Sequence, residues 1–127
     1  MRATRRYRLG VTALAEAADD DYCHLTTRGR VSGDPHEIEI WFALDGTTLF
    51  MLAGSREGAD WVRNLQAQPG VTVRVRDTVH EATARVVTDP DEARRARTLV
   101  FEKYEPRNPG LAGWRESALP VAVDVTP

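Results

Sequence analysis

Between His36 and Leu44 apolar and polar residues alternate, placing Ile38, Ile40, Phe42 and Leu44 on one face of an extended strand. Glu37, Glu39, Trp41 and Ala43 fall on the other face. Asp45-Gly46 is a hairpin signal, and Leu49–Ala53 returns as the partner strand. That return, LFMLA, is apolar at successive positions, as expected of a strand covered on both faces. Tyr22–Thr27 has the β-branched and aromatic content of a short strand. Val71, Val73 and Val75 alternate with Thr72, Arg74 and Arg76, and further strands are predicted over Val79–Val87 and Leu119–Val125.

Helical spacing is weaker and depends more on caps. Leu9–Ala18 reads as a short helix ended by the acidic triplet Asp19–Asp21. Asp60 reads as the N-cap of a helix carrying Trp61, Val62 and Leu65, which Pro69-Gly70 stops. In Asp89-Pro90-Asp91-Glu92 the first residue caps, the proline takes the first helical position and the glutamate completes a capping box. Ala93, Ala96, Leu99, Val100 and Tyr104 supply the buried stripe of that helix, and Pro106 to Gly113 reads as a loop. The resulting order, α-β-ββ-α-ββ-α-β, predicts a mainly β chain with flanking helices (α+β). Its sheet is antiparallel, and closing it into a small barrel removes the exposed edges.

Length and composition narrow the classes. A chain of 127 residues, 42% hydrophobic and 28% charged, predicts one soluble globular domain: an N-terminal arm and helix over 1–21 and a barrel with helices over 22–127. A formal net charge of -2 argues against bulk attraction to nucleic acid or an anionic membrane. Arginines at 2, 5, 6 and 8 leave either a frayed terminus or a peripheral membrane contact, and no stretch is long and apolar enough to span a bilayer. Cys23 is the sole cysteine, so no internal disulfide forms and a reducing, cytoplasmic setting is expected.

Candidate chemistry sits in two polar turns. Thr27–Pro35 and Gly54–Gly58 both combine glycine, serine and arginine, and paired strands separate them, so they are expected to form opposite walls of one anion-binding cleft. A solvated turn with ordinary salt bridges is the alternative for each. Nearly all basic residues are arginine, with Lys103 the single lysine, so an anionic partner meets planar guanidinium forks. Histidines 24, 36 and 80 lack metal-ligand spacing, and no metal site is expected. Ser32 and Ser55 lack a G-x-S-x-G elbow, which leaves hydrolase chemistry unsupported. Trp41 either lines a ring-binding wall or buries itself in the core or an interface.

LTTRGRVSG followed by EIWFALDG, LAGS, DWVRNL, VTVRV and the ending ALPVAVDV resembles the deazaflavin-dependent nitroreductase, or quinone reductase-like, family. That resemblance implies a split β-barrel related to flavin-binding pyridoxamine-phosphate-oxidase-like proteins. It also implies a homodimer, coenzyme F-420 as hydride carrier, and a small-molecule acceptor such as a quinone, nitro compound or enone. Carried over, Arg30, Ser32 and Gly33 belong to the first cofactor-binding turn, with Arg28 beside them. Ser55 and Arg56 belong to the second turn, and Trp61 and Asn64 to the helix that follows. Relatives that reduce nitro drugs use C-terminal tyrosines near the substrate, for which Tyr104 and Trp114 are loose counterparts. Val31 stands where many relatives carry a cation, and Glu57-Gly58-Ala59 is a shortened, acidic second loop. These departures keep two other readings open: an FMN-dependent split-barrel oxidoreductase, and a non-catalytic dimer that binds a cofactor or small molecule.

Overall fold

The computed structural model describes residues 12–127. The start of the helix expected over Leu9–Ala18, and the four N-terminal arginines, lie outside the described residues; helix α1 occupies residues 12–16. Seven strands follow: β1 (Cys23–Arg28), β2 (Pro35–Ile40), β3 (Ala43–Asp45), β4 (Thr48–Ala53), β5 (Gly70–Val75), β6 (Thr78–Val86) and β7 (Leu119–Val125). They form one sheet in the order β2-β1-β5-β6-β7-β4-β3, with every pairing antiparallel. Helices α2 (Asp60–Ala67), α3 (Pro90–Tyr104) and α4 (Ala112–Ser117) complete the chain, with a 3-10 turn at Arg56–Gly58.

Barrel closure follows from chain connectivity. The two edge strands, β2 and β3, are consecutive in sequence and joined only by Trp41 and Phe42. A flat seven-stranded sheet separates its edges by about 29 Å, six spacings of about 4.8 Å. Three residue steps reach about 11 Å at most. The sheet therefore has to curl until its edges meet at that link. Here the expected continuous strand from His36 to Leu44 is corrected: it breaks at Trp41-Phe42, since one strand cannot pair at both edges without leaving one ladder for the other. The inward face survives the break, because Phe42 is fully buried and Ile38, Ile40 and Leu44 pack against the same barrel core.

The broken ladder leaves the Phe42 peptide groups to be satisfied from elsewhere. Tyr104, at the end of α3 and 1% exposed, supplies them: Phe42 N–H donates to its hydroxyl oxygen at 3.0 Å. The hydroxyl in turn donates to Asp21 O at 2.6 Å, and Lys103 Nζ donates to Phe42 O at 2.8 Å. Burial raises the Tyr104 phenol and lowers Lys103 to about 8.

Two apolar layers explain why β4 is apolar throughout. Leu49, Met51 and Ala53 face the barrel interior with Leu25, Val73, Val121 and Val123. Phe50 and Leu52 face outward, against Ala96, Val100 and Tyr104 of α3. The two-sided covering expected for LFMLA is thus observed. The Asp45-Gly46 hairpin also forms, with Asp45 paired to Thr48 and Gly46 at φ +63°.

Caps differ in part from expectation. Asp89 does accept from Glu92 N–H at 2.8 Å, but the Glu92 carboxylate turns to Arg85 at 2.6 and 2.8 Å, so only half of the box forms. Ala59, not Asp60, caps α2, without a side-chain bond. Helix α4 replaces part of the predicted loop. It is short and contains Gly113, so its stability is tertiary: Arg97 donates to the carbonyls of Arg115 and Glu116, and Arg56 donates to Ser117 O at 2.6 Å. No described helix is long and apolar enough to cross a membrane.

Two stability measurements test this account. Tyr104→Phe leaves Phe42 N–H and Asp21 O without their partner and should cost about 1–3 kcal/mol in urea unfolding. His80 lies on the inward face of β6 with Ala82 and Ala84, and its Nε2 has no partner among the described residues. Burial lowers its pKa, so the unfolded chain takes up the proton more readily. Its contribution is complete above an unfolded value of about 6.5 and is lost as pH falls below it. His80→Leu should therefore unfold less readily than wild type at pH 5, relative to their difference at pH 8.

Candidate functional site

The loop after β1 is wound tightly enough to aim its side chains at α2. Gly29 N–H donates to Asp34 O and Gly33 N–H to Gly29 O, both at 2.8 Å, and Gly33 takes φ +77°. Ser32 Oγ accepts from Asp34 N–H at 3.1 Å. Gly29 is buried, and a Cβ there would meet His36 Nε2 and Ser32 Oγ, each at 2.9 Å, so those side chains would have to shift.

Helix α2 answers the loop through Asn64, which is 4% exposed. Its Oδ1 accepts from Arg30 N–H at 3.2 Å and from Arg30 Nη1 at 2.9 Å, while Nδ2 reaches Thr27 Oγ1 at 3.4 Å. One buried amide thus holds the backbone and the guanidinium of Arg30 together, pre-setting a cation that otherwise has many rotamers. Asp60, exposed at the start of α2, lies 3.3 Å from Arg30 Nη2. Between loop and helix opens a cleft of about 630 Å³, with Arg30, Ser32, Asn64 and Trp61 in its lining. Volume, one fixed guanidinium and an indole wall suit a ring-bearing anion.

Not every expected residue reaches it. Arg28, the last residue of β1, and Gly33 in the loop are not in the lining, and Arg28 Nη1 is 3.5 Å from Gly33 O. Ser55 and Arg56 lie outside the cleft as well. Arg56, at φ +52°, is directed to the end of α4. The second turn is therefore not the opposite wall; α2 itself is, because Asn64 ties it to the first turn. Tyr104 is corrected too: its hydroxyl is buried and engaged by the backbone, leaving it no access to a substrate.

A second, smaller cleft of about 250 Å³ begins where the first ends along β2, lined by Tyr22, Glu39, Ile40, Trp41, Leu52 and Trp114. Trp41 stacks on Tyr104 with ring centroids 4.3 Å apart, and Trp114 meets Trp41 edge-on at 5.9 Å. Trp114, a loose counterpart of the relatives' substrate-side tyrosines in the sequence, is carried to this cleft by α4, an element the sequence did not predict. Gly54 lies against it: a Cβ there meets the Trp114 indole at 3.4 Å. Cys23 faces the core, where burial pushes its thiol up to about 12 and leaves it inert. Among the described residues no cluster suited to a metal ion occurs.

Comparison with known proteins agrees with this architecture. A solved F-420-H2-dependent reductase (FDR-A) superposes with a TM-score of 0.69 at 22% identity, covering 83% of this chain and 95% of that one. A pyridoxamine 5'-phosphate oxidase-type protein from Listeria innocua gives 0.66 at 18% identity, covering 91% and 92%. A chain described as a domain-swapped dimer gives 0.70 at 22% identity, covering 96% and 99%. These likenesses show the split-barrel fold. The family model described as F420H(2)-dependent quinone reductase matches residues 2–126, nearly the whole chain. Neither the FMN alternative nor the non-catalytic reading is needed. The curled sheet with its preset arginine is thus the scaffold of an oxidoreductase that depends on coenzyme F-420, and the chain belongs to the F420H(2)-dependent quinone reductase family.

Proposed function

We propose that the chain reduces small, flat, hydrophobic acceptors, with quinones first and nitro compounds and enones as further candidates. Reduced F-420, when bound, supplies the hydride. The observation that carries the reading is the Arg30–Asn64 pair in the larger cleft, a guanidinium held ready for a phosphate before any ligand arrives. Ser32 adds a hydroxyl proton beside it, its oxygen already accepting from Asp34. Arg28 and Gly33 hold the loop, and Trp61 gives the ring an apolar wall. Ser55 and Arg56 have no place in this assignment, because the Arg56 guanidinium is committed to α4.

The smaller cleft is assigned to the acceptor. It follows the larger one along the same strand, and its indole faces suit a planar ring. Trp41 is held flat by Tyr104, so an acceptor stacked on it is oriented without ordering a loose side chain. Its lining has one charged group, Glu39, a carboxylate that disfavours anionic acceptors. Lining residues include no Tyr, His or Lys placed to act as a buried general acid apart from the half-exposed Tyr22, so solvent is the proton source for the reduced acceptor.

Assembly as a homodimer is part of the proposal. It is supported by the edge strand β2, whose outward side chains are exposed, and by the description of one structural neighbour as a domain-swapped dimer. Sedimentation equilibrium should return twice the chain mass; a monomer would remove this part.

Arg30→Ala and Trp41→Ala separate the two clefts. Losing charge-assisted hydrogen bonds of about 1.5–3 kcal/mol, Arg30→Ala should weaken F-420 binding about 10- to 150-fold by fluorescence titration. Trp41→Ala should leave that affinity within about twofold, while the KM for a quinone rises about fivefold or more, the loss of a stacking contact of about 1 kcal/mol or more. Unchanged affinity in Arg30→Ala would refute the anion site. An unchanged quinone KM in Trp41→Ala would refute the acceptor site.

A further inference from the structure

The charge lining the larger cleft is unusual for a site that takes a phosphate. Arg30 is the one arginine or lysine among the lining residues, His36 adds an imidazole, and two carboxylates, Glu37 and Asp60, face the same space. Glu37 is answered from outside the lining by Arg74, at 3.4 Å. Asp60 has no such partner among the described residues: its contact is Arg30 itself, at 3.3 Å. It caps nothing, since Ala59 holds the N-cap position without a side-chain bond. The other Arg30 contact, Asn64 Oδ1 at 2.9 Å, is neutral. Any anion on this guanidinium therefore shares it with a carboxylate.

We propose that Asp60 weakens binding of a doubly charged phosphomonoester in this cleft more than binding of a singly charged phosphodiester. The inference rests on the reading of this cleft as the cofactor's anion site, and names what that site rejects. An anion that pairs with Arg30 comes within about 6 Å of the Asp60 carboxylate, and at an exposed site each added negative charge then weakens binding about three- to tenfold. A phosphodiester carries one charge. A phosphomonoester carries about 1.5 to 2 at pH 7, because its second proton leaves near pH 6. F-420 holds its tail phosphate esterified on both sides, whereas FMN ends in a monoester, so one carboxylate penalises the second more than the first. Asp60 lies at the first position of α2, where the helix dipole also favours an acid, so a purely structural role predicts a different outcome from its removal.

The test compares two ligands with one ring: F-420 and the same deazaflavin ended in a 5′-phosphomonoester. Both are titrated by fluorescence into the full-length wild type, Asp60→Asn and Arg30→Ala at pH 7.5. Asp60→Asn keeps an oxygen to accept from Arg30 and removes the charge. The monoester should gain about three- to tenfold more affinity than F-420 in this variant. An unchanged affinity ratio in Asp60→Asn, or an equal loss for both ligands, would overturn the proposal and leave Asp60 as a helix-terminal or orienting residue. If Arg30→Ala bound F-420 as tightly as wild type, the anion site itself would fail instead, so the two failures are told apart.

Discussion

Everything in this fold depends on the two-residue link between β2 and β3. Trp41 and Phe42 join strands that occupy opposite edges of a seven-stranded sheet, and so short a connection exists only if the sheet curls shut. The link cannot satisfy its own peptide groups by strand pairing. Tyr104 takes the Phe42 N–H, Lys103 takes the Phe42 carbonyl, and the Tyr104 hydroxyl donates to the Asp21 backbone carbonyl. Helix α3 thereby clasps the barrel seam, and the clasp is buried, where an unmade hydrogen bond costs most.

The same link shapes the cleft proposed for the acceptor. With Trp41 stacked on Tyr104, the residue that closes the barrel also presents a fixed indole to the smaller cleft. The larger cleft lies further back along β2, where the loop after β1 meets α2. Barrel closure thus sets both how the chain holds together and how its two clefts lie along one strand. Rigid placement suits a reaction in which the cofactor holds the reactive electrons and the protein's part is orientation.

At the cleft proposed for the cofactor's anion, a buried neutral amide positions Arg30 while an exposed acid faces the same guanidinium. Asn64 is 4% exposed and bonds Arg30 twice, so the arginine is ordered by contacts that do not compete for its charge. Asp60 does compete, at the solvent-facing end of the same guanidinium. An arginine answered only by carboxylates would be a closed ion pair; one shared between an amide and a single exposed acid retains donors for a ligand.

The sequence by itself determined the strands, their inward faces, the β3–β4 hairpin and the family, because these rest on local patterns. Alternation at Ile38, Ile40, Phe42 and Leu44 marks one buried face whether or not the ladder is continuous, and LFMLA can be stable only if both of its faces are covered. Arg30, Ser32, Trp61 and Asn64 were legible as a group because two short motifs hold them in a familiar order. Only the tertiary structure decided which turn faces the cleft, since an arginine beside glycine and serine looks the same at positions 30 and 56. Arg56 is drawn to the carbonyl end of α4, a helix hidden from the sequence because Arg97 and Arg56 supply from a distance what its own residues lack. Tyr104, Asp60 and Trp114 took their roles in the same way. Hydrogen bonds and stacking between residues far apart in the chain leave no periodic trace, so their partners are known only once the sheet has closed.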